Sequence, residues 1–368
     1  MSGVLAGLRV LEFAAIGPVP WTGMLLADLG ASVIRVERPG SASERDTLGA
    51  VLRGRMRVEL DLKSDSGRDA ARQMASQADA LLEGLRPGVM ERLGLGPDDA
   101  LQLNPKLVYG RMTGWGQHGP MAQQAGHDIN YIALSGALHA IGTADKPVAP
   151  LNLVGDFGGG GAFLVIGLLA ALWQVKATGR GLVVDAAMVD GSAALMAMVY
   201  SRMLLGQWTD QRVSNPLDGG VPWYDTYRTA DGKFIAVGAL EPKFYDELLD
   251  RLGLSGSVPD RQDPAHWPAI RQQLVQTFSS RSRDEWAAHF ANSDACVSPV
   301  LSLTEAPHDP HLSARGTFTP WAQGHVPAAV PVFNGQRVPV SAQSRRLSAA
   351  EALEEWRTAR TCAVSDTP

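Results

Sequence analysis

From the N-terminus, short apolar runs rich in β-formers alternate with longer segments of helical pattern. LRVLEFA reads as a strand, PVPWTGMLLADLG as a helix closed by Gly30, ASVIRVE as a second strand and RVELDL as a third. KSDSGRDAARQMASQ then reads as a helix opened by Ser64 or Ser66, followed by ADALLEGL, the short helix PGVMERLGL and the strand KLVYGRMT. Such alternation predicts an α/β fold with a mostly parallel sheet covered by helices, because parallel neighbours need crossover connections. Ligands of such sheets bind beyond the carboxyl ends of the strands.

Past residue 190 the pattern changes. MVDGSAALMAMVYSRMLLG predicts a long apolar helix, QWTDQRVSNPLDGGVP a connection without periodicity, and YDTYRTADGKFIAVGAL a hairpin turning at Asp231-Gly232. The expected organisation is a large domain over 1–190 and 325–368, a connecting helix and linker over 191–219, a smaller α+β domain over 220–315, and a return linker over 316–324. SAAEALEEWRTAR, with a Ser348/Glu351 capping box, predicts an amphipathic helix docked back on the first domain. FGGGGAFLVIGLLAALWQV is long enough to span a bilayer, but its leading glycines and the lack of an aromatic belt favour a helix buried inside a large protein, without membrane insertion.

Length and composition sharpen this. A chain of 368 residues with 45% hydrophobic and 19% charged residues is globular and long enough for two domains. Its net charge of −5 supplies no global positive field for nucleic acid, so any anion site is local. The opening segment carries Arg9 and Glu12 inside an apolar run and reads as a strand, not a signal peptide. With only Cys296 and Cys362, neither a disulfide framework nor a cysteine metal site is expected, and the cytoplasm is the default compartment. Local cations do exist: Arg38, Lys63 and Arg86 follow successive strands and Arg92 comes a turn later, pointing to a phosphate-bearing ligand if the strands are neighbours. A nicotinamide cofactor is disfavoured, since AAIGPVPW has no G-x-G-x-x-G and Pro18 and Pro20 lack N–H groups; Glu37 alone would suit a ribose.

Three acid–base candidates stand at element boundaries. His127, in QQAGHDINYIALSGAL, opens an apolar helix, where the positive dipole end favours a neutral, proton-accepting ring; it could equally be a satisfied core histidine. Asp156, in LNLVGDFGGGGAF, precedes four glycines whose N–H groups could hold an oxyanion; the alternative reading is that it only caps its helix. Glu241 precedes Pro242 at an expected first helical position and is a weaker cap candidate.

GLRVLEFAAIGPVP, ADLGASVIRVERP, LDLKS, EGLRPGVMERLGLG, GRMTGWGQHGP, AGHDINYIALSG, NLVGDFGGGGAF, GRGLVVDAAMVDGS and ANSDACVSPV, in this order over nearly the whole chain, resemble the family III coenzyme A transferases, and among them the α-methylacyl-CoA racemase branch. The resemblance implies a Rossmann-like large domain, a small α+β domain, and a homodimer of two chains interlocked as rings. It implies coenzyme A bound by Arg38, by Leu60, Asp61, Leu62 and Lys63, by Gly84, Leu85 and Arg86, by Arg92, and by Gly126, Asp128, Ile129, Asn130 and Tyr131. Asn152 and Tyr224 are expected as wall residues, and Ile16, Leu85 or the methionines of 188–203 as acyl lining. The implied reaction is 1,1-proton transfer at the α carbon of a 2-methylacyl-CoA through an enolate. His127 and Asp156 act on opposite faces and Glu241 pairs with the histidine, from its own chain or the other. The alternative is transfer of coenzyme A between carboxylic acids with Asp156 as nucleophile. No metal and no separate cofactor are expected, coenzyme A being part of the substrate.

Overall fold

The computed structural model describes residues 3–40, 49–341 and 344–365. The chain divides into two compact units, one of residues up to Ala137, Pro150–Met196 and residues from His311 on, the other of Leu138–Ala149 and Ala197–Pro310. The expected connecting helix is broken: Met188–Leu195 belongs to the first unit and Ala197–Leu204 to the second. Leu138–Ala149 joins the second unit because Arg212 donates to the carbonyls of Thr143 and His139, both at 2.8 Å.

In the first unit, strands β1 (Arg9–Phe13), β2 (Ser32–Glu37), β3 (Arg55–Glu59), β4 (Ala80–Glu83), β5 (Val108–Thr113) and β6 (Leu182–Ala187) form one parallel sheet, with Arg345–Arg346 added at the edge. The order is Arg345–Arg346, β3, β2, β1, β4, β5, β6. The chain leaves β1 toward one side of the sheet and crosses to the other side at β4, a topological switch point that opens a crevice at the carboxyl ends. The strands are apolar on both faces, as parallel strands covered on both sides must be. Leu11, Ile34, Met56, Leu81 and Tyr109 pack with Met74, Leu353 and Trp356; Val10, Val33, Leu82 and Val108 pack with Leu26, Leu164 and Leu168. The terminal helix Ala349–Ser365 thus docks on the sheet. Its capping box is formed, with Ser348 N–H and Oγ each donating to Glu351 Oε2 at 2.7 Å.

One feature of the sheet lies outside the apolar pattern. Glu12 of β1 accepts from Arg35 of β2 and from Arg55 Nε of β3 at 3.2 Å, and Glu37 accepts from Arg35 and Arg57, both at 3.1 Å. Glu12 and Arg55 are fully buried. The strand-end acid Glu37, weighed above for a ribose, is therefore a buried member of this ionic ladder.

The glycine-rich segment is a π-helix, Leu153–Ala162, running directly into the α-helix Phe163–Thr178. A Cβ on Gly159 would stand 2.8 Å from Ser192 Oγ, and one on Gly160 2.8 Å from Met188 Cγ. These glycines let the helix Met188–Leu195 approach. Their N–H groups lie within the helix, not at its start where an oxyanion was expected to sit. The apolar helix is long and hydrophobic enough to cross a membrane, yet it is buried on one face only: Leu164, Leu168 and Ala171 are covered, while Ile166, Leu169 and Trp173 are exposed. The expectation of full burial is corrected on this point, because the helix lies over β5 and the edge strand β6 and turns Ile166 and Trp173 away from them.

In the second unit, β7 (Tyr224–Arg228), β8 (Phe234–Gly238) and β9 (Val297–Pro299) make an antiparallel sheet. The turn between β7 and β8 has Gly232 at φ 77°, as the Asp-Gly signal required. Helices Pro242–Leu252, Trp267–Phe278 and Arg283–His289 contribute Leu248, Phe278 and Trp286 to a core with Tyr227 and Ile235.

Candidate active site

A cleft of about 440 Å³ opens at the carboxyl edge of the parallel sheet. It is built from the loops after β1, β4 and β5 and from the start of the helix after β6, the position the switch point between β1 and β4 dictates. Ile16 and Gly17, Gly84 to Arg86, Trp115, Gly126, His127, Tyr131, Asp156 and Met188 are among its walls.

His127 is exposed and lines this cleft, so the core-histidine reading falls. Its extended backbone (φ −132°, ψ 172°) starts the helix Asp128–Leu134, and its N–H donates to Asn130 Oδ1 at 3.0 Å. Asn130 is thereby a capping residue. Asp156 comes from the π-helix, a form of helix that recurs at functional sites. Its Oδ2 accepts from Asn152 Nδ2 at 3.0 Å, and its N–H donates to Asp128 Oδ1 at 2.7 Å. Burial raises the Asp156 pKa above the ordinary carboxyl range; the Asn152 bond works against this, Asp128's charge adds to it and His127 opposes it. A group so placed keeps its proton to higher pH than a surface aspartate. The expectation that Asp156 only caps its helix is not met, since it stands within the helix and not before it.

Trp115 and Tyr131 form an edge-to-face pair, centroids 4.7 Å apart, on one wall. The chain before His127 passes close to them: a Cβ at Gly126 would stand 2.8 Å from the Tyr131 ring and 3.0 Å from Trp115. Burial, and then the charges of Asp156 and Asp128, raise the Tyr131 phenol pKa. On the opposite side, Gly17 has φ +66°, and a Cβ there would stand 3.0 Å from Asp156 Oδ2. Neither Gly17 nor Trp115 was singled out in the sequence, although a glycine followed by a helix-opening proline is a readable cap. Gly17→Ala is expected to cost roughly 1–3 kcal/mol in backbone strain and about tenfold or more in turnover by displacing Asp156. Urea unfolding and kcat measured on the same preparation check both.

Residues 5–350 match the model of the CoA-transferase family III. The chain belongs to the CoA-transferase family III. Among the relatives of this family III chain are an α-methylacyl-CoA racemase of Mus musculus, 47% identical over 86% of this chain and 82% of the mouse protein, and one of Homo sapiens, 45% identical over 85% and 82%. A crystal structure of a CaiB/BaiF family protein from Brucella suis superposes with a TM-score of 0.83 at 25% identity, covering 97% of this chain and 100% of that one. The large parallel sheet with a small antiparallel sheet is thus the fold of solved family III proteins.

The remaining candidates fall into separate places on this family III fold. Gly84, Leu85 and Arg86 line the cleft, and their loop is fixed from below: Leu85 N–H donates to Glu83 Oε2 at 2.7 Å, while Arg111 Nε holds Glu83 Oε1 at 3.0 Å. Because β3, β2, β1 and β4 are neighbours in that order, Lys63, Arg38 and Arg86 follow strand ends along one edge, all three exposed. Leu60 and Leu62 pack on the core, and Asp61 shapes the turn by accepting from Lys63 N–H at 3.0 Å. Arg92 lies with Arg68 and Arg72 in a second, open depression that also contains Asp65 and Asp69. Ile129 is exposed outside the cleft lining, and Asp128 is buried behind it. Tyr224 and Glu241 belong to the second unit. Tyr224 begins β7, and Glu241 precedes Pro242 as expected, making no capping bond and, after burial, contributing to the raised pKa of the Cys296 thiol.

Proposed function

We propose that this chain racemises 2-methylacyl-CoA thioesters by 1,1-proton transfer at C2. The observation that carries the reading is the opening of His127 and Asp156 onto one cleft in a chain 47% identical to a protein of that name. One group removes the α-proton, the C–H electron pair moves toward the carbonyl, and the thioester oxygen takes the charge. The other group then delivers its proton to the opposite face of C2. In the reverse direction the roles exchange, so one group starts protonated and the other empty. The raised pKa of Asp156 suits it to carry a proton in part of the cycle. Glu241 keeps, as part of this proposal, the role of orienting the His127 ring.

Arg38, Lys63 and Arg86 along one sheet edge suit the phosphates of coenzyme A, which arrives with the acyl group, so no separate cofactor enters. A homodimer fits the exposed apolar face of Ile166, Leu169 and Trp173, and the exposed Leu204 and Leu205. A cytoplasmic location rests on the cysteine content.

The deciding experiment incubates one stereoisomer of a 2-methylacyl-CoA in deuterated water without an acceptor acid. Deuterium at C2 together with loss of optical purity is expected. Coenzyme A exchange on adding a free carboxylic acid, with an acyl-enzyme trapped by hydroxylamine and no label at C2, would instead assign Asp156 as the nucleophile of a transferase.

A further inference from the structure

Asp128 immediately follows the exposed His127 but is itself buried, and both of its oxygens are committed to the interior. Oδ1 accepts the Asp156 N–H at 2.7 Å, tying the start of one helix to the π-helix across 28 residues of sequence. Oδ2 is buried and finds no hydrogen-bond donor among the described residues. Room for this arrangement is made by Gly155, where any Cβ would collide with Asp128 Oδ1. A buried carboxylate oxygen without a donor is costly, so its retention beside an acid–base residue calls for an account.

Resting on the racemase reading, we infer that Asp128 is the positioning residue of Asp156: one oxygen pins the Asp156 backbone while the second, left without a donor, holds negative charge against the Asp156 carboxyl. The charge acts in the direction the function needs. It adds to burial in keeping the Asp156 proton in place, against the pull of the Asn152 bond and of His127. Tyr131, a turn further along the Asp128 helix, feels both carboxyls. The charged groups of the other packed elements are engaged or exposed: Asp28 of the helix Pro18–Asp28 is held by Arg53 and Arg111 of β5 by Glu83 and Glu91, while Asp185 of β6, Asp190 of Met188–Leu195 and Lys176 are exposed.

The test uses the full chain with each 2-methylacyl-CoA stereoisomer in turn and follows kcat/KM against pH. Asp128→Asn keeps an oxygen for the Asp156 N–H and removes the charge. Loss of a like charge eases ionisation of Asp156, so the limb that Asp156 sets is expected to move to lower pH: the acid limb with the stereoisomer whose proton Asp156 removes, and the alkaline limb with the other, to which it delivers one. Gly155→Ala keeps the charge and disturbs the pin, and is expected to lower kcat by about tenfold with less movement of the limb. Limbs for Asp128→Asn that coincide with the parent's for both stereoisomers overturn the inference. So does an unaltered kcat for Gly155→Ala, which decides the matter should Asp128→Asn not fold. Absence of label at C2 with the parent protein would instead overturn the racemase reading itself.

Discussion

Asp156→Asn is expected to lose about 10²- to 10⁴-fold in turnover, the usual range for a positioned acid or base, and to gain stability at neutral pH. The amide is nearly isosteric, and its oxygen can still accept from Asn152 Nδ2, which reaches the native carboxylate at 3.0 Å. What it lacks is a transferable proton. The stability sign follows from the raised pKa. For a carboxyl whose folded-state pKa lies above its unfolded value, the ionised form is disfavoured in the folded chain. That penalty is absent below the unfolded pKa and is incurred as pH rises through the folded one. Asn removes it, so the variant's melting temperature should exceed the parent's at pH 7, with the difference fading toward acid pH. Loss of optical purity and thermal unfolding at two pH values measure both arms. Residual racemisation above a hundredth of the parent's, or a lower melting temperature at pH 7, contradicts the assignment. His127→Ala tests the partner: inversion should stop, while exchange with retention through Asp156 can persist.

What the sequence makes legible is what depends on near neighbours. The alternation of strands and helices follows from local periodicity, and so does the hairpin at Asp231-Gly232, because each depends on neighbours a few residues apart. His127 and Asp156 stood out because ionisable side chains beside apolar runs are conspicuous, and the motif resemblance gave them roles. The partners that make them a site are remote. Asp128 reaches Asp156 over 28 residues, and Gly17 stands beside it from 139 residues earlier in the chain. Nothing local marks an aspartate whose oxygen will face another aspartate's N–H. The half-exposed helix Phe163–Thr178 escaped for a related reason: its composition states that it is apolar all round, but not which of its faces the rest of the unit covers.

The ladder beneath the cleft carries the largest expected effect on folding. Arg9 and Glu12 were noticed only as charges interrupting an apolar strand, whereas Glu12 is the acceptor between Arg35 and Arg55. Burial lowers the Arg55 pKa, and Glu12 restores part of it through charge and hydrogen bond. A guanidinium does not shed its proton in a protein, so removing Glu12 leaves the buried Arg55 with backbone carbonyls in place of a carboxylate and leaves Arg35 to Glu37. Glu12→Ala is therefore expected to cost about 3–5 kcal/mol, a large share of the roughly 5–15 kcal/mol that holds a typical domain. Glu12→Gln, which still accepts hydrogen bonds, should cost less. The same site explains Gly23 of the helix Pro18–Asp28, where a Cβ would run into the Glu12 carboxylate. Because β1 leads into Ile16 and Gly17 of the cleft, loss of Glu12 should also loosen the segment facing Asp156 and depress turnover before global unfolding is reached. Urea titrations followed by circular dichroism and by activity separate the two. A Glu12→Ala midpoint corresponding to less than about 1 kcal/mol of loss, within the range of an ordinary surface ion pair, would mean that water or a rearranged partner relieves the two arginines and that the ladder does not hold the sheet.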